Sequence, residues 1–97
     1  MKKKYTPEID RTLVLSTAHV SKSTMDWIPY SKLVVYPFEY GHIILVPSAV
    51  RLRLINAAGY MKAELKPLFS LCRKLKCKWL RLDRDGDTNP NLKTYDW

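Results

Sequence analysis

The chain has 97 residues, 46% of them hydrophobic and eleven of them aromatic, which suits one domain with a modest core and excludes a disordered chain. Its net charge of +8 is uneven: residues 51–81 hold nine basic residues against a single acid, Glu64, so a basic side and a mildly acidic C-terminal end are expected. Two cysteines (Cys72 and Cys77) fall short of a zinc ligand set, the opening MKKKYTPEIDR has no apolar signal core, and no apolar run is long enough to span a bilayer. These features predict a cytoplasmic protein with reduced, buried thiols and no membrane partner.

A first strand is expected over residues 12–17, where Leu13, Val14 and Leu15 are consecutively apolar. Such a run suits a central strand covered on both faces. Ser21 or Ser23 can cap a short helix that must end before Pro29. LVVYPFEYGHIILVP then reads as two strands, 33–38 and 42–47, turning around Glu39, Tyr40 and Gly41, with Pro37 placing the first of them at an edge. The run Ile43 to Val46 marks the third strand as central too.

Residues 48–77 are expected to be mostly helical. Met61, Leu65, Leu68, Cys72 and Leu75 form one stripe at helical spacing, and Lys62, Lys66 and Arg73 share another face. Gly59 separates an earlier helical piece, and Pro67 either restarts or kinks the helix. KWLRLD is the last strand, with Leu80 and Leu82 on one side and Trp79 and Arg81 on the other.

Residues 1–97 thus read as a single α+β domain with the order β-α-β-β-α-β. That order predicts a two-layer split β-α-β (ferredoxin-like) fold: a four-stranded antiparallel sheet, order 4-1-3-2, with helices on one face. Leu13, Leu15, Ile43, Leu45, Leu65, Leu68, Cys72, Leu80 and Leu82 are the expected core. The second sheet face would need a cover. The aromatic tail with Leu92, Tyr95 and Trp97 is the first candidate, and a second subunit or a partner is the other.

Three stretches, LSTAHV at 15–20, YGHIILVP at 40–47 and CKWLRLDRDGD…LKTYDW from 77 to 97, resemble a family of small proteins of unassigned function from bacteria, plasmids and phages. The resemblance implies a shared fold and a mobile-element setting. It implies no activity.

Asp83, Asp85, Gly86 and Asp87 alternate like the start of a calcium loop, but the twelfth position would be Thr94, which is no bidentate ligand. Asp-Gly and Asn-Pro are ordinary turn chemistry, so a turn is expected, with no metal and no cofactor. His19 and Cys77 could form a base and nucleophile, and the predicted order would bring them together. By the same order His19 and Asp83 would lie at opposite ends. His42 is expected to pack beside the turn.

Without a phosphate-cradling glycine loop or a persuasive catalytic set, the leading expectation is a non-catalytic binding protein. It would inhibit a host defence complex (of anti-CRISPR or anti-restriction type) by occluding a host protein or nucleoprotein. Nucleic-acid binding through the basic helix face, or through Tyr36, Phe38, Trp79 and Arg81 on the sheet, is an alternative, and a small enzyme using His19 with Cys77 is another. The expected contact residues are Lys62, Lys66, Arg73, Lys76, Trp79 and Arg81.

Overall fold

A computed structural model describes residues 5–59 and 61–96. Four strands, β1 (Thr12–Ser16), β2 (Val35–Phe38), β3 (Gly41–Leu45) and β4 (Trp79–Asp83), form one sheet, with three helices, α1 (Lys22–Trp27), α2 (Ala49–Ala57) and α3 (Lys66–Lys74), in the connections. The class is α+β, as expected. The sheet, however, runs β1-β4-β3-β2, with β1 parallel to β4 and the other neighbours antiparallel, so it is mixed and not ferredoxin-like.

The cause lies in the long connection between β3 and β4. Gly59, at a φ of 75°, ends the first helical piece, and Pro67, in the first turn of α3, starts a second. Two helices cross the layer out and back, so the chain re-enters the sheet at the end where β3 finished. Val46 N–H donates to the Lys78 carbonyl at 2.9 Å, and Leu45 faces Trp79 in register. One helix would have delivered β4 parallel to β3; two deliver it antiparallel and adjacent. β4 therefore takes the central place expected for β1. Lys76, in the left-handed region at a φ of 58°, terminates α3 while Cys77 N–H bonds the Cys72 carbonyl at 2.8 Å.

Residues paired across strands share a face. Leu15, Leu82, Leu80 and Ile44 point to one side, where Val20, Ile28, Leu52, Leu65, Leu68, Phe69 and Cys72 close the core. Leu13 packs against this cluster only in part. Ile43 and Leu45, expected in the core, stand half-buried on the opposite face, and Ile44 takes the core position. The run Ile43-Ile44-Leu45 cannot itself say which register faces the helices. Val14, in the middle of the first apolar run, is 41% exposed, because it points to the side away from the helices, while Leu15 on the same edge strand is buried. Pro37 does lie on the edge strand β2.

Two polar staples tie the helical layer together. Ser21 caps α1, its hydroxyl accepting from Thr24 N–H at 3.3 Å. The Glu64 carboxylate, from the turn before α3, accepts from Ser21 N–H, from the Ser21 hydroxyl at 2.9 Å and from the fully buried Thr24 hydroxyl at 2.9 Å. Burial would raise the Glu64 pKa, but these hydrogen bonds and the Lys62 charge outweigh it and hold the carboxyl below its ordinary value.

Candidate interaction surface

As far as Asp96 the tail does not cover the open sheet face. It leaves β4 through a turn in which Gly86 N–H donates to the Asp83 carbonyl at 2.9 Å, and Asp85 N–H to the Asp83 carboxylate at 2.9 Å. The chain then crosses the end of the parallel pair. Ser16 N–H donates to the Asp87 carbonyl at 3.1 Å and Tyr95 N–H to the Ala18 carbonyl at 2.8 Å. Leu92 packs onto the core from the helical side, beside Pro67 and Leu71 of α3. Tyr95 lines a hollow with Ser16, Thr17 and Arg84 at the sheet's end, and Trp97 lies outside the described residues.

His19 is the clasp for this return. The ring is buried, and Asn89 N–H donates to Nε2 at 2.9 Å, so Nδ1 carries the hydrogen and donates to the Lys93 carbonyl at 2.8 Å. Both nitrogens are occupied by tail backbone. Because β1 and β4 are parallel, Ser16 is opposite Asp83, so His19 shares the Asp83 end of the sheet; Cys77 lies at the other end, where Lys78 N–H bonds the Arg11 carbonyl at 2.9 Å. The expected neighbours are thus exchanged, and the His19–Cys77 pair does not form. Burial, then the adjacent Cys77, push the Cys72 thiol up to about 12. His42 is paired with Leu82 on the helix-covered face, and burial holds its pKa below the ordinary value.

The aspartate cluster acts as a turn. Asp83, 6% exposed, accepts from Arg81 Nη2 at 2.8 Å and Nε at 3.2 Å, and from Asp85 N–H. The Arg81 hydrogen bonds, followed by the Asp85 amide, hold its carboxyl below the usual aspartate value. Asp85 and Asp87 face solvent. Among the described residues no group of three or more His, Cys, Asp or Glu side chains converges.

Among the described residues nothing covers the sheet face away from the helices. Tyr36 and Trp79 rings meet across Ile43 with centroids 5.8 Å apart and planes at 58°, and with Thr12 they line a shallow depression of about 420 Å³. Tyr36 is 56% exposed. Val14, Leu45 and Phe38 extend the apolar surface on either side. Two of its cations are matched: Arg81 is paired with Asp83 and stands 5.5 Å from the Phe38 ring, and Lys78 is paired with Asp10 at 3.3 Å and stands 5.9 Å from the Trp79 ring; Arg84, at the end of the face, lies 4.7 Å from the Tyr40 ring.

The expected contact residues therefore divide between two layers. Trp79 and Arg81 belong to the open face, while Lys62, Lys66, Arg73 and Lys76 belong to the helical layer. Lys62 precedes α3 and lies 5.9 Å from the Trp27 ring, so it does not continue a helical row with Lys66 and Arg73. Sequence reasoning missed Asn89 and Asn91 as groove-forming tail residues and Glu64 as a staple. The latter had a signal, as the only acid in a basic stretch.

The geometry defines a small α+β protein with an open mixed sheet, helices on one face and, among the described residues, an uncovered aromatic face on the other. Residues 12–97 match the C-terminal domain of a family of unknown function, DUF5983, and the chain belongs to that family. No curated protein and no solved structure matches it. Among the described residues no helix is long and apolar enough to cross a membrane.

Proposed function

We propose that this protein is a non-catalytic binding module that docks onto a partner protein through the open sheet face and acts by occlusion. The observation that carries this reading is the surface of Tyr36, Ile43, Trp79 and Val14, beside which Arg81 and Lys78 are internally paired. Aromatic and aliphatic side chains with neutralised cations suit a desolvated protein contact better than a phosphate backbone. Tyr36 and Trp79 are the anchors; Arg81, held by Asp83, presents a fixed planar donor at the rim.

The sequence blocks ending in LSTAH, YGHIILVP and CxWLxLDxDG…YDW, with the mobile-element setting their resemblance implies, make a host defence complex the target class. The test is affinity capture from bacterial host lysate, with and without nuclease, using the wild type and a Tyr36→Ser, Trp79→Ser variant. The reading predicts a protein retained after nuclease and lost with the double variant. Capture that the variant leaves intact, or that vanishes with nuclease, contradicts it.

A further inference from the structure

We infer that a second surface, the groove between α3 and the returning tail, binds the sugar-phosphate backbone of a single-stranded nucleic acid. The groove encloses about 360 Å³ between Pro67, Ser70, Leu71 and Lys74 on the helix and Asn89, Asn91 and Leu92 on the tail, and no carboxylate lines it. Of the nearby cations Lys74 lines it, while Lys66, Arg73 and Lys76 are exposed at other positions of α3 and the turn after it, and among the described residues none of the four is in a salt bridge. This is the opposite of the sheet face, where Arg81 and Lys78 have acidic partners. Glu64, the only acid between residues 51 and 81, is engaged by Ser21 and Thr24.

Helix electrostatics accounts for only part of this charge. Arg73 and Lys74 lie in the last turn of α3, where cations complement the dipole. Lys66 opens the same helix, where a cation is disfavoured. A polyanion laid along the helix relieves both the mutual repulsion and that misplacement. The lining suits one strand in kind as well as in charge. The Ser70 hydroxyl and the Asn89 and Asn91 amides can donate to phosphate oxygens, and Leu71, Leu92 and Pro67 offer an apolar floor to sugars and base faces. At about 360 Å³ the groove is far too small to take in a duplex, so a single strand is the form that can enter it.

Fluorescence anisotropy with a labelled single-stranded oligonucleotide tests the assignment, with duplex DNA and heparin as parallel arms. Binding should weaken linearly in log salt between about 50 and 200 mM, with a slope of about −2 to −3 if three or four phosphates are contacted. Reversing Lys66, Arg73 and Lys74 to Glu should weaken it at least about tenfold and flatten that slope. Asn91→Asp, which adds one charge with no change of shape, should weaken it by a smaller factor, and Lys22→Glu on α1 should leave it unchanged. No binding at low salt, binding that survives both groove variants, or duplex or heparin binding as tight as the single strand would each overturn the inference.

Discussion

Leu80 and Ile43 have similar volumes and sit on neighbouring strands, yet the sheet gives them different weights. Leu80 is fully buried against the helices, and Ile43 stands on the open face. Leu80→Ala should cost about 2 to 5 kcal/mol in urea unfolding, and Ile43→Ala clearly less. Gly41 is fixed by a close approach: a Cβ there would lie 1.8 Å from the Leu82 carbonyl oxygen. Gly41→Ala must therefore push β3 from β4, and a loss of more than about 2 kcal/mol in the same assay is expected. Glu64 and Asp83 both make the fold sensitive to acid. Both carboxyls titrate below their ordinary values of 4.5 and 3.8 in the folded state, so the unfolded chain binds protons first as pH falls. Their contribution is complete above those ordinary values and is lost as pH drops through the lower, folded ones. Thermal melts on an acid series should show this fall, and Glu64→Gln should flatten it.

The tail and its histidine form the element whose role differs most from expectation. Deleting residues 92–97 removes Leu92 from the core and the bonds made by the Lys93 carbonyl and Tyr95 N–H, leaving His19 Nδ1–H and the Ala18 carbonyl unpartnered. A stability loss of about 1 to 3 kcal/mol follows from the unpaired groups, measurable as a lower melting temperature. An unchanged melt would mean the tail is not clasped. This element also shows what was legible in the sequence. DRDG read correctly as a turn, because it depends on chemistry within a few residues; the cap stayed open between Ser21 and Ser23, and Pro67 between a restart and a kink, and the fold has Ser21 and a restart. Strand order was not legible in the same way. It depended on whether Gly59 made one crossing helix or two, and that parity decided whether Cys77 or Asp83 would share an end with His19.

Among the described residues two faces are unlike, one largely apolar with Arg81 and Lys78 in ion pairs, and one basic whose Lys66, Arg73, Lys74 and Lys76 are in no salt bridge. Sequence reading found the ingredients of both, placing Trp79 and Arg81 opposite Leu80 and Leu82 by alternation alone. It did not separate them: Asp83, two residues from Arg81 on the same strand, shares its face by alternation and was within reach, whereas Asp10 beside Lys78 is a consequence of folding. We propose that the open face meets a partner protein. A photo-crosslinking side chain at position 43, in the middle of that face, tests this, with position 54 on the exposed side of α2 as the control. A crosslink to a different protein is expected from position 43 in nuclease-treated host lysate, and none to that protein from position 54. Crosslinks from position 43 only to a second copy of this chain, to nucleic acid, or to nothing would contradict it.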